Sequence, residues 1–161
     1  MIKGHNVDDR YKPNVTVACI IECQDKYLIV EEIIDGVKRY NQPAGHLEKD
    51  ETLIMACIRE VFEETGLTVS PQGLTGIYQF AASDSLAFLR FTFFARIATL
   101  SPLQPQDPDI NRALWLTYEE IRHLAPRLRS PLVLSSLDDF RNKIHYPLEL
   151  LNGDHLRLAP G

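Results

Sequence analysis

The order of the predicted elements fits an α/β/α sandwich around a mixed β-sheet: strands first, then one well-bracketed helix, then more strands, then helices. Three observations carry that expectation. Apolar, β-branched runs of strand length are separated by turn residues. One stretch has helical periodicity between two capping signals. The 161 residues, 45% of them apolar, suffice for one domain that buries about two-thirds of its unfolded surface in a single core.

Residues 1–12 read as a polar lead-in, 13–150 as the domain and 151–161 as a C-terminal tail. The run VTVACIIEC after Asn14 is apolar almost throughout, as expected of a central strand covered on both faces. Gln24-Asp25-Lys26 turns the chain, YLIVEEII returns as a second strand, and Asp35-Gly36 marks a hairpin leading into a third strand, VKRYNQ. Lys38 and Arg39 lie on that third strand as either solvated edge charges or a phosphate contact. Pro43-Ala44-Gly45-His46 is expected to be a loop, with Gly45 permitting close backbone approach and His46 a substrate candidate.

Thr52 can cap the N-terminus of a helix and Gly66 can turn left-handed after its last turn, which brackets Leu53–Thr65. Spacing by 100° places Ile54, Met55, Ile58, Val61, Phe62 and Thr65 on an expected packing face, with Glu60, Glu63 and Glu64 opposite. Ala56 and Cys57 flank the acidic arc with small side chains that would leave room for a ligand. Carboxylates this close repel by a few tenths of a kcal/mol per pair, ~0.2–0.5. A divalent cation reverses the sign, and hard oxygen ligands suit Mg²⁺ shared with substrate phosphates. The helix therefore reads as part of a metal-dependent site for a phosphorylated substrate.

LTVSP is expected to be a short strand, followed by strands GIYQFAA and LAFLRFTFFARIA. In the last of these, alternation sets Phe88, Arg90, Thr92 and Phe94 on one face and Leu89, Phe91 and Phe93 on the other. Arg90 among apolar neighbours needs either a carboxylate or a substrate phosphate. Phe80 and Phe88 are either core residues or a stacking surface for a base. SPLQPQDPD is an irregular loop, RALWLT a last strand, and Thr117-Tyr118-Glu119-Glu120 a capping box. A further helix is expected over Leu132–Ile144, with Ser130 as N-cap and Pro131 at its first position, and the segment from His145 reads as uninformative.

A net charge of −5 without a dense basic run argues against a stable nucleic-acid complex. No window has the length and apolarity of a membrane span, and the N-terminus lacks an apolar leader, so a cytoplasmic protein is expected. Cys19, Cys23 and Cys57 form no C-x-x-C pair and are expected as free thiols.

Gly45, Glu51 and the run Arg59-Glu60-Val61-Phe62-Glu63-Glu64-Thr65-Gly66-Leu67, with five and seven residues between the fixed parts, resemble at every fixed position the signature of the Nudix hydrolases. At residue frequencies of about 5–7%, chance would produce it far less often than one time in about a million. The segments NQPAGHLEKDETL, FLRF, RSPLV and HYPLEL further resemble the NudJ-type branch of that family.

The resemblance implies a Nudix-type α/β/α sandwich and a phosphoanhydride hydrolase using Mg²⁺, with Mn²⁺ as a substitute. Its substrates would be nucleoside tri- and diphosphates and small organic pyrophosphates such as hydroxymethylpyrimidine pyrophosphate, with orthophosphate released. It implies metal ligation by the Gly45 carbonyl, Glu60, Glu63 and Glu64, and orientation of a glutamate by Arg59. Glu63 is the first candidate for general base, with Asp84, Asp107 and Asp109 as alternatives. Glu51, Arg90, Lys38, Arg39 and His46 are the further substrate-side candidates, Glu51 through metal ligation or site electrostatics. The protein would act as a monomer or homodimer on small molecules. The alternatives are a pyrophosphohydrolase cutting between the α and β phosphates and a non-catalytic nucleotide-binding module.

Overall fold

In the computed structural model the described residues are 9–157, so the first eight positions of the lead-in and the last four of the tail lie outside them. The chain forms β1 (Asn14–Cys23), β2 (Lys26–Ile34), β3 (Val37–Asn41), β4 (Ala44–His46), α1 (Leu53–Thr65), β5 (Gly73–Ala81), β6 (Ala87–Arg96), β7 (Ile110–Thr117), α2 (Tyr118–His123) and α3 (Leu132–Arg141). Both tight turns are of the kind their residues favour. Gln24 and Asp25 have φ of 51° and 61°, and Asp35 and Gly36 have 52° and 77°, the left-handed pair that matches strand twist in a two-residue hairpin.

All strands join one seven-stranded mixed sheet. β1 and β2 pair only beside their turn, at Glu22–Tyr27 and Cys23–Lys26, and then part. β1 runs antiparallel to β4 and parallel to β6, with β5 beyond it, while β2 runs between β3 and β7. α1 packs on β1, β4 and β7, across the place where the two halves separate. Val17, Cys19, Ile21, Leu28 and Phe93 meet Ala56, Cys57 and Val61 of α1 on one face. Ile20, Tyr27, Ile29 and Phe94 meet Ile121, Leu137 and Phe140 on the other, so β1 is covered on both faces as its composition predicts. The three cysteines are free and buried.

Four local expectations are corrected. Ala44–His46 is a strand, because β1 offers it a ladder that no local pattern reveals. LTVSP is not a strand; it crosses from α1 to β5 with Val69 plugged into the core. α3 ends at Arg141, where Lys143 turns left-handed with φ of 61°, and the Ser130 hydroxyl accepts the Leu132 N–H at its start. The segment from His145 is structural: Tyr146 exchanges backbone hydrogen bonds of 2.7 and 2.8 Å with Leu74, and Leu148 and Leu151 pack on the core.

The helix faces also differ from expectation. Thr52 caps α1 by accepting the Met55 N–H, and Gly66 closes it at φ 79°. Inward, however, point Ala56, Cys57, Val61, Glu64 and Thr65, while Met55 and Phe62 are each 45% exposed. The small side chains let the helix approach the sheet closely, and the room expected beside them for a ligand is filled by core. Periodicity measures the angle between residues; the sheet decides which side turns inward.

Away from this helix, Glu31 of β2 is fully buried between β3 and β7. Burial pushes its carboxyl up, but Arg112, Tyr40 and Asn111 all donate to it and together hold it down at about 2. Its folded pKa lies below the ordinary value of 4.5, so its stabilisation is complete above pH 4.5 and fades as pH falls toward 2. We expect Glu31→Gln to lose about 2–3 kcal/mol in urea unfolding at pH 7, with the difference from wild type shrinking steadily below pH 4. An unchanged difference across that range would show that the charge contributes nothing.

Candidate functional site

Arg59 organises the site from the outward flank of α1. Its Nε and Nη2 fork onto Glu51 at 3.0 and 2.7 Å, Nη1 donates to Glu60 at 2.6 Å and Glu63 at 3.3 Å, and Nη2 also reaches the His46 carbonyl at 3.0 Å. Glu48 completes the ring of charge at 3.5 Å. Residues four apart on a helix face one another, which brings Arg59 to Glu63, but its grip on Glu51 and His46 depends on how the preceding loop folds back. That loop is tied by the Glu48 N–H donating to Glu51 at 2.8 Å. The Arg59 guanidinium pulls the Glu51 carboxyl below its ordinary value and is itself raised by that partner.

Glu60 and Glu64 turn toward β4. A β-carbon at Gly45 would collide with the Glu60 carboxylate, so glycine there lets the backbone and that carboxylate share one place. Glu64 is 8% exposed, and its Oε1 accepts the Ala44 N–H at 2.8 Å. Burial pushes its carboxyl up to about 9 against that hydrogen bond, with the charges of Glu60, Glu32 and Asp107 adding to the rise. Glu60 is also raised, first by burial, then by Glu63 and Glu48, with Arg59 opposing. The inner pair thus lies in a pocket of excess negative charge: among the described residues, Arg59 reaches Glu60 but leaves Glu64 without a cation partner.

The chemistry of the donors fits a hard divalent cation: carboxylate oxygens from Glu60 and Glu64 beside the Gly45 backbone, crowded and short of positive charge. Among the described residues no three carboxylate, imidazole or thiol side chains already converge on one point. Arg59 instead draws Glu60 and Glu63 to itself.

The other expected residues divide. The loop 104–107 caps the end of α1, with the Gln106 and Asp107 N–H groups donating to the Glu63 carbonyl at 2.8 Å each, which puts Asp107 near Glu64. Asp109 sits in the turn that follows, its N–H held by the Asp107 carboxylate. Asp84 is on the exposed β5–β6 turn. Lys38 is exposed near the Asp35-Gly36 turn, and Arg39 donates to the Pro126 carbonyl at 3.1 Å, so neither is brought to the carboxylates. His46 contributes its carbonyl, and its side chain is exposed.

Arg90 is buried, at 7% exposure, and has no carboxylate partner. Its Nη2 donates to Asn41 Oδ1 at 3.1 Å and Gln42 Oε1 at 2.7 Å, and burial pulls the guanidinium down to about 10. Of the two alternatives expected for Arg90, the carboxylate partner is replaced by this neutral cradle. Asn41 and Gln42, which supply it, and Glu32, which adds to the field at Glu64, are neighbours of the candidate site that sequence reasoning misses. For the first two a signal exists, since they directly precede the turn into Gly45.

The sequence profile of the NUDIX domain matches residues 10–134. Phosphatase NudJ of Escherichia coli strain K12 is 46% identical over 141 residues, which are 88% of this chain and 92% of that protein. The structure of a NUDIX hydrolase from Nitrosomonas europaea aligns with a TM-score of 0.81 at 48% identity, covering 88% of this chain and 97% of that one. The NUDIX domain of Shewanella oneidensis NrtR, solved with ADP ribose, aligns with a TM-score of 0.71 over 86% and 93% of the two chains. At 14% identity it shares the fold alone.

Proposed function

Because the chain belongs to the NUDIX hydrolase family and is a phosphohydrolase, we propose that it is a Mg²⁺-dependent phosphatase of nucleoside tri- and diphosphates and of small organic pyrophosphates such as hydroxymethylpyrimidine pyrophosphate, releasing orthophosphate. Mn²⁺ substitutes for Mg²⁺. The observation that carries this reading is the buried, under-neutralised Glu64 beside Glu60 and the Gly45 backbone. Glu60, Glu64 and the Gly45 carbonyl would hold the cation, with Glu63 assisting. When bound, it neutralises charge on the phosphoanhydride and acidifies water.

The protein's own residues do the remaining work. Glu63 has a 41% exposed side chain and one long contact to Arg59, which leaves a carboxylate free to take a proton from the attacking water. Arg59 holds Glu60 and Glu63 in register with the loop before the helix, so the groups need not reorganise as the substrate reacts. Glu51 secures Arg59 on its far side. Net charge supports small-molecule substrates rather than nucleic acid, and no described helix is long and apolar enough to cross a membrane. The enzyme acts in the cytoplasm as a monomer or homodimer.

The test is turnover of a substrate panel with Mg²⁺, measuring orthophosphate and pyrophosphate separately. Nucleoside tri- and diphosphates, ADP ribose and hydroxymethylpyrimidine pyrophosphate are the substrates to include. Orthophosphate from several of them is expected. Pyrophosphate from triphosphates would replace this reading with cleavage between the α and β phosphates, and absence of metal-dependent turnover would replace it with a binding module.

A further inference from the structure

Strand register assembles a second chemical surface across the sheet. Tyr78 of β5 lies opposite Arg90 of β6, Arg90 beside Thr16 of β1, and Thr16 opposite His46 of β4. In the next row along the same face, Phe80 lies opposite Phe88. Directly opposed residues share a face, so Arg90, Tyr78 and the two phenylalanines project together. The phenylalanine rings are half-buried, with centroids 6.5 Å apart and planes 15° from parallel.

Beside these rings the Arg90 guanidinium is fixed but not satisfied. Asn41 and Gln42 hold Nη2, and Gln42 is itself anchored on the Val133 carbonyl at 2.9 Å. Nε is buried with no partner. A buried arginine kept for stability is normally paired with a carboxylate, and a buried donor without an acceptor is costly. Here a neutral cradle holds a guanidinium that keeps one buried N–H without a partner, on a face that also carries two half-buried aromatic rings. β6 and β4 flank β1, so two strand spacings, ~10 Å, separate the Arg90 and Gly45 backbones. A sugar and one phosphate span that length.

We propose that this face seats the organic ring of the substrate: a planar heteroaromatic ring bearing a carbonyl oxygen stacks on Phe80 and Phe88 and accepts a hydrogen bond from the Arg90 guanidinium, with its phosphates running toward Gly45. The proposal rests on the hydrolase reading for the direction of the phosphates. It assigns Arg90 to the ring and not to a phosphate. Bases that present no carbonyl at this edge lose that hydrogen bond and are selected against.

Two readouts test it. Saturation-transfer NMR with inosine monophosphate, which needs no turnover, is expected to mark the base protons of the ligand more strongly than the sugar protons. Arg90→Met is expected to weaken that binding about tenfold, and Phe88→Ala, at a half-exposed position that tolerates truncation, by roughly five- to a hundredfold. In turnover, the ratio of kcat/KM for inosine triphosphate over inorganic tripolyphosphate is expected to fall by similar factors, mainly through KM. Transfer centred on the sugar, or wild-type affinity in Phe88→Ala, would overturn the ring seat. So would an equal loss on both substrates in Arg90→Met, the signature of a phosphate contact or a structural role. Base-centred binding without any turnover would uphold the seat and remove the hydrolase reading instead.

Discussion

Glu64→Gln is expected to lower metal-dependent kcat/KM by on the order of a thousandfold while making the metal-free protein more stable. The activity loss follows from removing one of the two inner carboxylates. Cation stabilisation of phosphoryl transfer amounts to several kcal/mol, and each ~1.4 kcal/mol is a factor of ten. The stability gain follows from burial. Glu64 is 8% exposed and its carboxyl is pushed up to about 9, so above its ordinary 4.5 the metal-free fold either holds a proton or buries a charge. Its destabilising effect is absent below pH 4.5 and grows as pH rises toward 9. Glutamine keeps an oxygen for the Ala44 N–H without the charge. Urea unfolding without metal is therefore expected to show the variant about 1–3 kcal/mol more stable at pH 8 and equal to wild type at pH 4. Added Mg²⁺ is expected to raise the Tm of wild type and not that of the variant. Wild-type turnover in Glu64→Gln would end the metal assignment.

Arg59→Ala is expected to damage both properties together. One guanidinium serves Glu51, Glu60, Glu63 and the His46 carbonyl, with Glu48 at the margin, and its side chain is 22% exposed. Without it these carboxylates face one another unscreened, and the loop from His46 to Glu51 loses its tie to α1. We expect a loss of about 2–4 kcal/mol in stability, smaller at high salt. Metal affinity is expected to weaken 10- to 100-fold, as it does when partners behind metal ligands are removed, ~1.4–2.7 kcal/mol. Arg59→Lys is expected to recover little of either, because an ammonium cannot make the two parallel bonds to Glu51 while also reaching Glu60. Isothermal titration with Mn²⁺ beside urea unfolding measures the two effects separately. A variant that is less stable but has wild-type kcat at saturating metal would show that Arg59 serves the fold alone.

Local chemistry makes much of this protein legible from its residues alone. Thr52 and Gly66 bracket α1 because capping depends on residues within a turn of each end. The hairpin at Asp35-Gly36 and the capping box at Thr117 and Glu120 are set in the same way. The carboxylate cluster is legible as well, since Arg59, Glu60, Glu63 and Glu64 lie within one and a half turns of a single helix.

What distant segments contribute is not legible. Glu64 looks like a solvent-facing member of an acidic arc until β1 and β4 cover it, and Met55 looks like core until they do not. β4 exists because β1 passes beside it, and the segment from His145 is ordered because Leu74 pairs with Tyr146. Arg90 finds its cradle 48 and 49 positions away in Gln42 and Asn41. The family signature, the helix that carries it and the charge gathered there are set within the chain's own neighbourhoods, because propensity, capping and helical spacing act over a few residues. Which of those charges is buried, which backbone meets it and what holds Arg90 follow from contacts between distant segments. Desolvation and hydrogen-bond partnership arise only when segments far apart in the chain close over the same space.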